Sequence, residues 1–268
     1  MIDLWNFDDI RPYNDSEVPG VISRLLDEPR LYEMMAWIYR DLSEDDVREM
    51  LSDIKTVNDF QTTISGPAFK VITQMTTSGL TFTNMNRIEH GQAYLFLSNH
   101  RDIVLDSALL NVSLMEKDYP TTQIAIGNNL LANPLIHDLV RLNRNFIVYR
   151  DFPPRELLMQ SQRLSNYIRK TLVDENTSIW IAHKEGRSKD GDDRTATGLL
   201  KMLSLSSDKN VEQSLKELRI VPMAVSYEYD PCDLFKVNEL LAKKQNGVYE
   251  KSENEDYKSM MKGITGHK

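Results

Sequence analysis

From Gly79 to about Tyr227, short β-rich apolar segments alternate with longer segments whose apolar residues recur every three or four positions. The strand candidates are Leu80–Thr83, Tyr94–Ser98, Gln123–Ile126, Phe146–Tyr149, Ser178–Ala182 and Ile220–Tyr227. Between them Ile103–Glu116, Asn129–Leu142, Pro153–Val173 and Thr195–Leu205 each carry a helical apolar face. Few folds accommodate that alternation. A strand followed by a crossover helix returns to a parallel neighbour, so the expected class is α/β, with a mixed, largely parallel sheet flanked by helices. In such a sheet the functional side chains gather beyond the C-terminal ends of the strands. His100, Gly127, Arg150 and Glu185 each follow a strand candidate directly.

The first part of the chain has a different rhythm. Val21, Ile22, Leu25 and Leu26, then Leu31, Met34, Met35 and Ile38, recur at helical spacing. Ser43-Glu44-Asp45-Asp46 reads as a helix start, with a hydroxyl cap and acids in the first turn. A further helix is expected from Val57 to Met75, broken or kinked at Gly66-Pro67. Residues 1–78 are therefore expected to form a small N-terminal helical domain ahead of an α/β domain over 79–268. Past Pro231 the chain is charged, and a solvated helix with a frayed tail is expected there.

Charge and cysteine usage narrow the function classes. Forty acids against 32 bases give a net charge of −8 over 268 residues. A general nucleic-acid binder needs a broad basic surface to displace counterions, so nucleic acid is not an expected partner. The single cysteine, Cys232, provides no disulfide framework, and with five scattered histidines no metal site is implied. The first nine residues lack a basic region followed by an apolar core, and no apolar stretch nears the roughly 20 residues that span a bilayer. A cytoplasmic location is expected, peripheral to the inner face of the cytoplasmic membrane.

Four places could carry chemistry. The first is Ser98-Asn99-His100-Arg101-Asp102-Ile103-Val104-Leu105-Asp106, a polar elbow after the apolar run Tyr94–Leu97. A histidine with a carboxylate partner can take a proton from a hydroxyl near neutral pH. Asp102 and Asp106 both compete to be that partner. The competing reading is a capping elbow, in which Asn99 or Asp102 caps the next helix and His100 is a bystander. The second place runs from Arg141 to Lys170, with seven bases against two acids. A solvated helix face explains Arg163, Arg169 and Lys170, whereas Arg150 ends a strand and can grip a phosphate bidentately. The third is Lys184-Glu185-Gly186-Arg187-Ser188, where cations cluster around a glycine turn that suits an anion. The fourth is Ile220–Glu228, whose early Pro222 suggests an edge strand or bulge.

These pieces, in this order, resemble the glycerolipid acyltransferase superfamily, particularly its glycerol-3-phosphate acyltransferase branch. That family carries N-H-x4-D after a strand, an arginine after a later strand, an E-G-x-R-S loop and a V-P-hydrophobic strand. Here they stand as Asn99-His100…Asp106, Arg150, Glu185-Gly186-Arg187-Ser188 and Val221-Pro222, over roughly residues 79–230. Five residues separate His100 from Asp106 instead of four, and the Glu-Gly-Arg-Ser loop is one residue shorter. The resemblance implies an enzyme that moves a fatty acyl group from acyl-CoA or acyl carrier protein, as co-substrate without a further cofactor, to glycerol-3-phosphate in phospholipid biosynthesis. His100 and Asp106 would be catalytic. Arg150, Lys184, Glu185, Gly186, Arg187 and Ser188 would bind substrate. The alternatives are a lysophosphatidate or other lysolipid acceptor, and a catalytically silent lipid- or acyl-carrier-binding homologue. Transient contact with a membrane surface follows from lipophilic substrates, with the basic Arg141–Lys170 run as a candidate docking face.

Overall fold

The structure is a computed structural model, and it describes residues 3–131, 133–150, 152–252 and 255–266. In chain order the helical N-terminal part comprises α1 (Val18–Leu26), α2 (Pro29–Ile38), α3 (Glu44–Ser52), α4 (Val57–Asp59) and α5 (Gly66–Thr76). Then follow β1 (Leu95–Ser98), α6 (Leu105–Met115), β2 (Gln123–Gly127), α7 (Pro134–Leu142), β3 (Asn145–Val148) and α8 (Pro154–Arg169). The chain continues through β4 (Ile179–Ala182), α9 (Thr197–Ser204), α10 (Val211–Glu217), β5 (Ile220–Met223), α11 (Asp233–Asn246) and α12 (Glu255–Thr265). Each registered strand pair is parallel: β1 with β4, β1 with β5, and β2 with β3. The α/β class expected from the alternation is the class observed.

The chain divides into two compact units. One contains Met1–Asn6, Met75–Thr122 and Phe152–Lys268; the other contains Phe7–Gln74 and Gln123–Asp151. In the first, β1 lies between β4 and β5 with Leu95 opposite both Ile179 and Ile220. Leu95 and Ile179 are wholly buried, as an apolar run covered on both faces requires. Pro222 has no N–H to offer, and it sits on β5, whose registered partner is β1, as an edge strand permits.

In the second unit the N-terminal helices pack with α7. Val18, Leu25, Leu31, Met35, Leu51 and Leu142 are at most 2 % exposed and share one core. Each such side chain contributes about 1.5–3 kcal/mol by leaving water. The cap at Ser43 forms as the sequence indicates: Ser43 Oγ accepts from Asp46 N at 3.2 Å, and Asp46 Oδ2 accepts the Ser43 N–H at 2.8 Å.

Three expectations are corrected. Leu80–Thr83 is not a strand: Thr81–Asn84 is exposed and irregular, and Asn84 turns to φ 61°. Where a single break or kink is expected at Gly66-Pro67, the change of winding spreads over the preceding turn: a π-helical stretch over Phe60–Ser65 leads from α4 into α5, which begins at Gly66. That looser winding accommodates a proline without an N–H to donate. Beyond Pro231 the described residues form two helices instead of one solvated helix, and each buries polar residues, Lys236 and Glu239 on α11 and Glu255 and Ser259 on α12, while the last two residues of the expected frayed tail lie outside the described residues. No helix among the described residues is long and apolar enough to cross a membrane.

Candidate active site

The elbow after β1 folds around one carboxylate. Asp106 lies in the first turn of α6 with its side chain wholly buried, and Oδ2 is 2.9 Å from His100 Nδ1. The same oxygen accepts the backbone N–H of Arg101 at 2.6 Å and of Asp102 at 3.0 Å. The other oxygen, Oδ1, accepts the Tyr227 hydroxyl at 2.8 Å. A carboxylate can only accept, so the proton between Asp106 and His100 belongs to Nδ1, and Nε2 keeps its lone pair. The five-residue spacing therefore does not displace the partner: the loop wraps over Asp106 and takes up the extra residue. Both oxygens of Asp106 are held.

Asp102 has a different task. Its Oδ1 accepts Val104 N and Leu105 N, both at 2.9 Å, and so caps α6. Burial pushes its carboxyl above the usual range against the pull of the Leu105 and Val104 N–H groups, with the Asp106 charge adding to the rise. Of the two carboxylates that competed from sequence, Asp106 meets the imidazole and Asp102 meets the backbone. The Tyr227 phenol is likewise pushed up, by burial first and then by the charges of Asp106 and Asp102, and it stays a donor.

Neighbouring segments fix the elbow. Asn99 stands in for a strand residue: its Oδ1 accepts Val225 N at 2.7 Å and its Nδ2 donates to Val225 O at 2.9 Å, just past the end of β5. Trp180 from β4 meets the His100 ring edge-on, with centroids 5.7 Å apart. Ser188 N donates to His100 O at 2.7 Å, so this serine is tied to the elbow through its backbone.

The loop after β4 holds its cations close. Gly186 adopts φ 74°, a left-handed conformation that glycine takes at little cost. Lys184 Nζ donates to Asp192 O at 2.6 Å and lies 3.5 Å from Asp193 Oδ1. Arg101 Nη2 is 3.3 Å from the other Asp193 oxygen. Burial pushes the Asp193 carboxyl up, but the Ser188 hydroxyl and the charges of Arg101 and Lys184 outweigh it and hold the group below its usual range. Arg187 buries its Nη1 without a hydrogen-bond partner, and its charge pulls down both Asp102 and Cys232. Glu185 is exposed.

Arg150 belongs to the second unit. Its N donates to Asn128 Oδ1 at 3.3 Å, and its guanidinium lies so near Gly127 that a Cβ there would come 2.8 Å from Nη2. The first unit thus gathers His100, Asp106, Lys184, Arg187 and Ser188, whereas Arg150 has its own surroundings. Sequence reasoning missed Tyr227, Asp193 and Asn99's bridging role. The run Asp190-Gly191-Asp192-Asp193 was a signal for Asp193; Tyr227 had none.

Much of the basic Arg141–Lys170 run is engaged internally. Arg141 donates to the carbonyls of Arg11 and Asp8, Arg163 to that of Asn6, and Arg169 pairs with Glu217 at 2.5 Å. Arg163 is 8 % exposed, so the solvated face expected for it is corrected.

Comparison with known proteins agrees with this geometry. A family model described as Acyltransferase matches residues 79–226, more than half of the chain. No curated protein matches it. The matched region spans the elbow with His100 and Asp106, the Glu-Gly-Arg-Ser loop and β5, and the chain belongs to the Acyltransferase family, the glycerolipid acyltransferases of lipid biosynthesis.

Proposed function

We propose that this acyltransferase moves a fatty acyl group from an acyl thioester, acyl-CoA or acyl carrier protein, to a hydroxyl of glycerol-3-phosphate. The observation that carries the reading is the 2.9 Å contact of His100 Nδ1 with Asp106, which leaves Nε2 as the base. Nε2 takes the hydroxyl proton as the oxygen attacks the thioester carbonyl. A C–O bond forms, the C–S bond breaks, and the imidazolium returns its proton to the departing thiolate. Asp106 stabilises the imidazolium while the charge lasts. General-base assistance of this kind typically contributes about 10²–10⁴ in rate.

Lys184 and Arg187 are the first unit's groups for the acceptor's phosphate, with Glu185, Gly186 and Ser188 beside them in the same loop, and Arg150 is the second unit's candidate for holding a phosphate. Holding the acceptor shortens the search for an attack geometry. Lys184 would exchange its Asp193 contact for the phosphate, both being anionic partners. The lipid product places the reaction at a membrane surface, from the cytoplasmic side.

The test is acyl transfer from radiolabelled palmitoyl-CoA and palmitoyl-acyl carrier protein to glycerol-3-phosphate, lysophosphatidate and water, with His100→Ala alongside. Transfer to glycerol-3-phosphate that disappears in the variant is expected. Transfer to lysophosphatidate alone would replace the acceptor, and no transfer by a folded protein would remove the reading.

A further inference from the structure

Helix α11 turns two charged side chains inward, beside the half-buried Phe235 and Leu240. Its buried residues are Lys236 and Glu239, while Leu234, Val237 and Leu241 are 70 %, 48 % and 49 % exposed. Burial of apolar surface alone would favour an orientation with Leu234, Val237 and Leu241 inward and the charges in water. A helix seated against that preference is oriented by its polar contacts, and both of these reach the candidate active site.

Lys236 Nζ donates to Arg101 O at 2.8 Å and to Asp230 Oδ2 at 2.6 Å. Arg101 is also the residue whose N–H holds Asp106 Oδ2 at 2.6 Å. One peptide unit therefore separates the lysine from the carboxylate beside His100. Three residues on, and so on the same helix face, Glu239 Oε1 lies 3.3 Å from Lys189 Nζ, with Lys243 on the same oxygen at 2.6 Å. Lys189 follows Ser188, whose N–H holds the His100 carbonyl at 2.7 Å. The first arm ends on the residue that itself holds Asp106, and the second ends one residue from the contact with His100.

Helix α12 closes the underside. A Cβ built on Gly263 would overlap Asp102 Oδ2, so the Asp102 carboxylate can lie against α12 only because that residue is glycine. Cys232 Sγ, at the start of α11, lies 3.2 Å from Ser259 O and 3.9 Å from Asp102 Oδ2. Lys236, Glu239, Cys232, Ser259 and Gly263 all follow position 226, outside the segment that matches the family.

We propose that α11 is a two-armed clamp, with Lys236 and Glu239 as positioning residues that hold the elbow and the Glu-Gly-Arg-Ser loop in register around His100. The proposal rests on the acyl-transfer reading for its kinetic arm only. Its second arm is the exchange-protected Nδ1–H resonance of His100, which reports the hydrogen bond to Asp106 whatever reaction follows.

The experiment compares Lys236→Met, Lys236→Arg and Glu239→Gln with Lys244→Met, an exposed lysine on the same helix. Lys236→Met is expected to lower kcat roughly 10-fold or more with KM nearly unchanged, as lost positioning does, and to broaden the Nδ1–H resonance. Lys236→Arg should recover part of both, and Lys244→Met should change neither. If Lys236→Met fails to fold, the isosteric Glu239→Gln decides by the same two readouts. A folded Lys236→Met or Glu239→Gln protein with unchanged kcat and an unchanged Nδ1–H resonance overturns the clamp. If the wild type transfers acyl groups to no acceptor, the proposed function fails and the resonance still decides the clamp.

Discussion

Tyr227 donates its hydroxyl to Asp106 Oδ1 at 2.8 Å across 121 residues of chain, and so fixes the oxygen that His100 leaves free. The imidazole takes one side of the carboxylate and the phenol takes the other. Rotation of Asp106 about its Cβ–Cγ bond would break both contacts together. Tyr227→Phe removes the phenol's bond and keeps its ring. A hydrogen bond to a charged group is worth about 1.5–3 kcal/mol, so kcat should fall roughly 10-fold with KM within about twofold. Steady-state kinetics with both substrates varied decides it. A loss confined to KM would mean that the phenol touches substrate instead.

Asp106→Asn and Asp102→Asn should part company. At Asp106 an amide replaces an acceptor that three N–H donors share through Oδ2, so kcat should fall by roughly 10² or more, within the range of general-base loss. At Asp102 asparagine caps a helix about as well as aspartate, so kcat should stay within about threefold and stability within about 1 kcal/mol. Equal losses in the two variants would undo the division of labour between the carboxylates.

Gly127→Ala tests Arg150 without touching it. Gly127 has φ −71°, which alanine adopts freely, so the change acts by steric contact alone. The new methyl would stand 2.6 Å from Asn129 Oδ1 and 2.8 Å from Arg150 Nη2. The far end of a flexible side chain moves more easily than backbone. The melting temperature should therefore hold while KM for glycerol-3-phosphate rises roughly 10-fold, the scale of a weakened charge-assisted contact. An unchanged KM would take Arg150 out of phosphate binding.

The second unit should lose stability in acid through Asp138. Burial raises its carboxyl, but hydrogen bonds from Arg24 and Tyr13 outweigh that and hold it below its ordinary 3.8. A carboxyl lowered in the folded state stabilises the fold above its unfolded value, and the contribution disappears as pH falls through the lowered one. The stabilities of wild type and Asp138→Asn from urea unfolding, followed from about pH 6 to about pH 2.5, should begin to converge below the ordinary value and meet below the lowered one. Parallel curves over the whole range would show that the Arg24 and Tyr13 contacts contribute nothing.

Where the strands lie was readable because β1 to β5 are short apolar runs separated by helical periodicity, and that signal is local. The position of His100 at the end of β1 follows from the same signal. The partner of His100 was not readable. On an ideal helix Asp106 falls about 120° around the axis from His100, and the elbow that decides the outcome is not helical. Leu80–Thr83 has strand composition but lies exposed, and composition does not reveal whether a ladder partner is present. The charges after Pro231 looked solvated because charge ordinarily means surface.

The sequence by itself determined the α/β class, the helical character of residues 15–76, the Ser43 cap that starts α3 and the elbow that carries His100. All of these depend on residues within a few positions of one another. Tertiary structure alone decided that Asp106 meets the imidazole, that Tyr227 holds Asp106, that Asn99 pairs with Val225, and that Lys236 and Glu239 face inward. Those choices turn on an elbow that is not helical, join segments more than 100 residues apart, or turn the charges of a helix inward. Hydrogen-bond geometry at buried polar atoms settles them, because a buried donor or acceptor left unpaired costs more than an exposed leucine.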